Sequence, residues 1–314
     1  MSSPLVEARR FLHCCYCCPD SGAVSRFFTE GLGMQATMRT NGGRSDGSLL
    51  SIDGEIESDA RFVYDRRGPR TSPAVEVQGW LDPPVEGDVY PAAHHVGFHA
   101  VGVAVPAVDE VVHALVGLGA TVVGRTADAA ALFGSPNAVV VRAADGVLVD
   151  IVEPDEPTTP DADSRFHHMR LTCSDLDASR AWYEALGFSV LVRHDSIEVP
   201  GAVFGGAADG VVAVAQLRLP DEPFRLLLHQ WLEPASYGHP YPNANHRGMY
   251  RAAVCVDDTR TAYETLTGAG FAFDAPPRVV ELTGTPVPDM WIAFLRDPDG
   301  FPVELVERPR SAFR

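Results

Sequence analysis

The sequence contains no lysine; all 25 of its basic side chains are arginine. That absence removes several chemistries. A Schiff base, an amine nucleophile and a phosphate-binding ammonium each need a flexible amine, and arginine, which does not deprotonate, cannot replace it. Basic charge is scarce in total as well: 42 acidic side chains leave a net charge of −17, which repels phosphate backbones and argues against a nucleic-acid partner. No run of 18 apolar residues occurs, and the first residues, through Glu7, lack the basic start and apolar stretch of a secretory leader. The expectation is a cytoplasmic protein with no membrane association. Zinc-finger spacing is also missing. Cys14, Cys15, Cys17 and Cys18 have no second CxxC or His-rich stretch to complete a site, and Cys173 and Cys255 stand alone.

What is present is a globular composition, 46% hydrophobic, on a chain of 314 residues, about right for two domains. A duplication supports that division. Tyr90-Pro-Ala-Ala-His-His-Val-Gly-Phe-His99 matches Tyr241-Pro-Asn-Ala-Asn-His-Arg-Gly-Met-Tyr250 at an offset of 151 residues, and Trp80-Leu-Asp-Pro83 matches Trp231-Leu-Glu-Pro234 at the same offset. The Pro- and acid-rich stretch from Glu153 to Asp163 reads as a linker. The expected domains are 9–153 and 166–308, joined by 154–165.

Each half divides again into two segments of one plan: a short apolar strand, a helix, then strands that end in an acid-bearing apolar strand. The openings run His13 to Asp20, His99 to Pro106, His168 to Asp175 and Tyr250 to Asp257. Asp20, Asp175 and Asp257 suit a helix N-cap, and Gly33, Gly119, Gly187 and Gly270 suit the stop that follows. The closing strands are Ala74–Gln78, Val147–Val152, Phe224–His229 and Phe301–Val306.

On these residues the sequence resembles the vicinal oxygen chelate superfamily of glyoxalases, bleomycin resistance proteins and extradiol dioxygenases. The clearest carriers are Trp182-Tyr-Glu-Ala-Leu-Gly-Phe188 and Asp297-Pro-Asp-Gly-Phe-Pro-Val-Glu-Leu-Val306. The resemblance implies an α+β fold in which four βαβββ modules form two glyoxalase-like domains with curved mixed sheets. It also implies a divalent metal (Fe, Mn, Zn, Ni or Co) in a cup, held from the first and last strands of paired modules.

Carried over residue by residue, the family's ligand positions fall on His13, Glu76, His99 and Asp150 in the N-terminal half, with Glu76 as the expected catalytic base. In the strand period of two, Glu76 and Asp150 face the cup while their Val and Ile neighbours face the helices. In the C-terminal half the positions fall on His168, Leu227, Tyr250 and Glu304. Leucine cannot coordinate and neutral tyrosine coordinates poorly, so a second site there would draw on His168, His229, Tyr250 and Glu304. Cys18, Cys173 and Cys255 are expected to face helix packing, and Cys15 and Cys17 the cup. Arg170 and Arg225 are expected on the C-terminal cup face, where either meets a substrate carboxylate or pairs internally.

Three functions stay open at this point. The first is a metal-dependent lyase or isomerase that polarises a small oxygenated metabolite. The second is a ferrous extradiol-type dioxygenase using His13, His99 and Asp150. The third is a metal-free antibiotic-binding protein that stacks its ligand on Trp80, Trp231, Tyr183 and Trp291. Each implies a small-molecule partner, and dimerisation is compatible with all three.

Overall fold

The computed structural model describes residues 3–41, 43–154, 163–206, 208–280 and 289–308. Most of the expected linker, 155–162, lies outside these residues. The first module holds strands β1 (Arg10–Cys18), β2 (Gln35–Asn41), β3 (Ser45–Asp46), β4 (Glu55–Tyr64) and β5 (Ala74–Asp82), with helix α1 (Ser21–Gly31). The second holds β6 (Gly97–Ala104), α2 (Val108–Gly117), β7 (Thr121–Thr126), a one-turn α3 (Ala130–Phe133), β8 (Ala138–Arg142) and β9 (Leu148–Val152). The third holds β10 (Arg165–Thr172), α4 (Leu176–Ala185), β11 (Ser189–Val199), β12 (Gly210–Arg218) and β13 (Arg225–Glu233). The fourth holds β14 (Gly248–Val256), α5 (Thr259–Gly268), β15 (Arg278–Val280), β16 (Met290–Arg296) and β17 (Pro302–Glu307). No helix among the described residues is long and apolar enough to cross a membrane.

The strands form two curved mixed sheets, as the α+β reading expects. One has nine strands, ordered β15-β16-β17-β14-β1-β5-β4-β2 with β3 paired to β4; the other has eight, ordered β11-β12-β13-β10-β6-β9-β8-β7. Their membership corrects the expected domains. The first module shares its sheet with the fourth, through the antiparallel pair β1–β14, and the second shares its sheet with the third, through β6–β10. Neither sheet is therefore confined to 9–153 or 166–308. The duplication identifies copies but does not say which copies pair, because both arrangements bury the same strand faces.

What holds the observed arrangement is the repeated motif itself. The segments 83–96 and 234–247 cross from one sheet to the other, and their equivalent tyrosines interlock. The Tyr90 and Tyr241 rings stack at 4.0 Å. The Tyr90 amide donates to the Tyr241 hydroxyl at 2.9 Å, and the Tyr241 amide donates to the Tyr90 hydroxyl at 3.1 Å.

Helix starts follow the acids. Asp20 and Asp175 accept from Ala23 and Ala178 amides at 2.9 and 3.0 Å. In the fourth module the cap is Asp258 rather than Asp257, and it accepts from the Thr261 amide at 2.9 Å. In the second the N-cap is Ala107, with no side-chain bond. The fourth module thus starts its helix one residue later than expected. Gly33, Gly119, Gly187 and Gly270 all take positive φ past the helix ends.

Each first strand also carries a β-bulge where the cup lies. Register shifts fall at Phe11/His13 in β1, at Phe166/His168 in β10, between Phe98 and Ala100 in β6, and between Met249 and Ala252 in β14. A bulge sets two successive residues against one partner residue, so both face the same side. The pairs are Leu12 and His13, His99 and Ala100, His167 and His168, and Tyr250 and Arg251. Phe11, Cys14, Phe98, Val101, Phe166, Met169, Met249 and Ala252, which flank those pairs, all join the main helix-facing core.

Cysteine orientation follows the same register. Cys14, Cys18 and Cys173 join the helix-facing core, and Cys15 and Cys17 join a separate cup-side cluster with Trp80, Tyr241 and Tyr250. Cys255 corrects the expectation. Its neighbours Val254 and Val256 belong to the helix-facing core, so the strand period turns Cys255 to the other face.

Gly102 in β6 lies beneath the second cup, where an added Cβ would fall 2.1 Å from the His168 ring. Gly102→Ala is expected to cost about 1–3 kcal/mol, as overpacking does, measurable by urea denaturation. A neutral result would mean that the His168 ring is free to move.

Candidate functional site

Strand pairing fixes which residues meet. In the parallel pair β1–β5, Cys15 lies opposite Glu76; in β14–β17, Ala253 lies opposite Glu304; in β10–β13, Arg170 lies opposite Leu227; in β6–β9, Gly102 lies opposite Asp150. Each partner stands two residues past the second bulge residue. The equivalent positions are therefore His13, Arg251, His168 and Ala100 on the first strands, and Glu76, Glu304, Leu227 and Asp150 on the last.

The nine-stranded cup brings together His13, Glu76, Arg251 and Glu304. His13 Nε2 lies 3.4 Å from Glu76 Oε2 and 3.3 Å from Glu304 Oε2, buried and without a well-aligned hydrogen bond. Arg251 donates from Nη2 to Glu76 Oε2 at 2.6 Å, from Nε to Glu304 Oε2 at 3.0 Å and from Nη1 to Gln78 Oε1 at 3.3 Å. Burial acts against the charge on Glu304, but contact with His13 and Arg251 outweighs it and holds the carboxyl below its ordinary range. Burial likewise opposes the Arg251 charge, and Cys15, Glu76 and Glu304 more than compensate.

Two apolar walls flank this cluster. Phe62, with Ala60 and Ala74, stands on one side, its ring edge-on to His13 at 5.8 Å. Phe294, with Ile292, Ala253 and Val306, stands on the other, 5.9 Å from the Arg251 guanidinium. The side chains of His13, Glu76, Glu304 and Arg251 keep 13, 8, 8 and 7% exposure. The site is nearly dry, with a small residual exposure of each side chain.

The eight-stranded cup is different in kind. Its four positions hold Ala100, Asp150, His168 and Leu227, two of which cannot ligate. Asp150 is completely buried, and Arg170 grips it through Nε at 2.7 Å and Nη2 at 2.9 Å, while His168 Nε2 approaches it at 3.2 Å. Burial raises the Asp150 carboxyl, but Arg170 and His168 override it and hold it well below the usual range. The chain itself fills this cup. Phe133 of α3 and Phe204 sit against the Arg170 guanidinium at 5.8 and 4.9 Å. The α3 carbonyls are also taken: His229 Nε2 meets Leu132 O at 2.9 Å, and Gln216 Nε2 donates to Ala130 O and Ala131 O at 2.7 and 2.9 Å. Arg225 donates to the Gly134 carbonyl.

The expected N-terminal metal set is thus divided. His13 and Glu76 lie in one sheet, His99 and Asp150 in the other. His99 is moreover a first bulge residue, and its Nε2 meets the His95 carbonyl at 2.6 Å beside the Tyr90 ring. The expected second set divides likewise, with His168 and His229 in the plugged cup and Tyr250 and Glu304 in the open one. Arg251 was missed; the signal available was the Asp257-Asp258 pair, which leaves the count back from the helix cap ambiguous by one residue. The four stacking aromatics do not share a cup, since Trp80, Trp231 and Tyr183 belong to three separate clusters and Trp291 pairs with Arg260.

The metal that the resemblance implies meets three donors here and an arginine at the fourth position. That guanidinium already occupies the two carboxylate oxygens that face His13. Among the described residues, no group of three His, Cys, Asp or Glu side chains is arranged to hold a metal ion. The four-donor set therefore does not fit, and no chemical step below is drawn through a metal.

The plugged cup contributes to the acid sensitivity of the fold. Burial holds His229 down to about 3 and His168 down to about 4, so both are neutral in the fold. The unfolded chain protonates its histidines near pH 6.5, so their contribution to stability is complete above that pH and is lost as pH falls toward 4. His229→Gln, which keeps a donor for Leu132 O, is expected to reduce the slope of stability against pH by about 1.4 kcal/mol per pH unit between pH 6 and 4. Urea midpoints across that range measure it, and an unchanged slope would show that His229 is charged in the fold.

Comparison with known proteins agrees with this architecture. Residues 165–305 match the family model of the Glyoxalase/Bleomycin resistance protein/Dioxygenase superfamily. A lactoylglutathione lyase of Schizosaccharomyces pombe is 28% identical over 170 residues, 52% of each chain, so the match spans about half the length of that curated relative. Glyoxalase I from Zea mays superimposes with a TM-score of 0.68 over 95% of this chain and 92% of its own, at 19% identity. A putative dioxygenase from Bacillus subtilis superimposes at 0.62 over 98% of this chain and 87% of its own, at 14% identity. At those identities the two structures show the fold alone. The sequence match across the third and fourth modules and the two curved sheets of paired modules agree with the fold of that superfamily.

Proposed function

We propose that the chain is an enzyme of the lyase or isomerase type that moves a proton on a small oxygenated metabolite in the cup of the nine-stranded sheet. The observation that supports this reading is the convergence of two carboxylates, one imidazole and one guanidinium between two apolar walls. A carboxylate in such a setting is a positioned base, and a fixed cation stabilises the oxyanion that forms when a carbon acid loses its proton.

For an α-hydroxycarbonyl, Glu76 takes the proton from the hydroxyl-bearing carbon. The electron pair of that C–H bond forms a carbon–carbon double bond, and the carbonyl oxygen becomes an enolate oxygen held by the guanidinium. Return of the proton to the neighbouring carbon, with His13 carrying the hydroxyl proton to the other oxygen, completes an isomerisation without any oxidant. The cytoplasm, which suits six unpaired cysteines, is the compartment assumed.

The rival readings have less support. The triad His13, His99 and Asp150 on which ferrous ring cleavage would rest is spread over two sheets, and the aromatics on which antibiotic stacking would rest are dispersed. The test is deuterium wash-in. Lactoylglutathione, named in the Schizosaccharomyces pombe relative, and a panel of α-hydroxycarbonyl compounds are incubated with the protein in D2O and followed by proton NMR. Exchange at the carbon next to the carbonyl is expected for at least one compound. Saturable binding without exchange would move the binding-protein reading to first place.

A further inference from the structure

We propose that Arg251 stands in for the metal of this cup, so that the site binds the two-oxygen edge of a small anionic substrate with a guanidinium instead of a divalent ion. This rests on the proposed working cup and adds its substrate class.

Position carries the first part of the argument. Arg251 is the second bulge residue of β14, the place His13 holds in β1, and its register to β17 repeats that of His13 to β5. In a cup built from paired modules, that place is one of the four facing the centre. Chemistry carries the second. The guanidinium bridges Glu76 and Glu304 through the Oε2 atoms that also face His13, which is the spot a cation held by those three groups would need.

The arginine is also fixed rather than trailing from the surface. Gln78 holds Nη1 and the Phe294 ring lies alongside. Its three bonds use one N–H each of Nε, Nη1 and Nη2. A guanidinium has five N–H groups, so one on Nη1 and one on Nη2 remain to meet the oxygens of a carboxylate or enediolate. Two carboxylates against one guanidinium leave the cluster balanced toward accepting a proton from such a substrate. The oxygens that a divalent cation would need are already bonded by the guanidinium. The apolar walls limit the substrate to a small body behind its two oxygens.

The experiment compares the full-length protein with Arg251→His, which supplies the missing donor. Each is dialysed against Zn2+, Ni2+ or Mn2+ alone, freed of loose metal and assayed by elemental analysis, and each metal-free form is then titrated with oxalate by calorimetry. The wild type is expected to retain no stoichiometric metal and to bind oxalate. The histidine variant is expected to gain about one equivalent of metal and, without it, to lose at least tenfold in oxalate affinity. Metal held stoichiometrically by the wild type and lost on His13→Ala would overturn the proposal while leaving proton transfer in this cup intact. Oxalate bound equally by both metal-free forms would overturn the guanidinium's role. If Arg251→His does not fold, judged by circular dichroism, the wild-type metal content and the His13→Ala comparison still decide the question. Loss of deuterium wash-in is the separate failure that would remove the reaction itself.

Discussion

Replacing Arg170 by methionine is expected to lower the stability of the protein by about 3–5 kcal/mol, because it leaves Asp150 charged and fully buried with only the His168 ring beside it. Methionine preserves most of the volume packed against Phe133 and Phe204, so the loss reports the charge and not a cavity. The double variant Arg170→Met, Asp150→Leu is expected to recover most of that loss, since removing both charges removes the desolvation cost with them. Chemical denaturation of the three proteins measures it. If the single variant were as stable as the parent, Asp150 would have to be protonated or reached by water, and the description of this cup as a sealed core would be wrong.

Glu76→Gln and Glu304→Gln carry the largest expected effects on activity. Removing the base is expected to lower the deuterium wash-in rate by about 10²–10⁴-fold, the usual contribution of a positioned acid or base. Glutamine keeps a carbonyl oxygen for the Arg251 N–H, so binding should weaken far less than turnover. If Glu76 is the base, Glu76→Gln shows the full loss in turnover and Glu304→Gln a smaller one. Equal losses would mean that the carboxylates share the proton. A full loss at Glu304 alone would transfer the role to it and leave the cup assignment in place.

Much of this site was legible in the sequence. The closing-strand positions Glu76, Asp150 and Glu304 follow from the period of two, because a lone acid between Val, Leu and Ile residues can face only one side. His13 and His168 follow from counting back seven residues from the capping Asp20 and Asp175, both of which do cap.

The same count misplaced His99 and Tyr250 for a local reason. The helix after β6 begins without a capping side chain, and the one after β14 begins at the second of two adjacent aspartates. A bulge then hides the error, since both residues of each bulged pair face the cup and each looks acceptable as a ligand. Module pairing was less legible still. It depends on the contact between Tyr90 and Tyr241, two residues visible in the sequence only as members of a repeat. The plug is a tertiary effect of the same kind. Nothing in Ala130–Phe133 announces that its carbonyls will be taken by Gln216 and His229, which belong to the third module.

In the proposed enzyme one cup works, the one built from the first and fourth modules, while the other is a filled core. The most direct measurement is a crystal structure of the protein soaked with the compound that exchanges fastest, or with oxalate. Density for that molecule is expected against Arg251, between Glu76 and Glu304, with the Asp150–Arg170 pair and the α3 plug unchanged. Density beside Asp150 and His168, with α3 displaced, would contradict it.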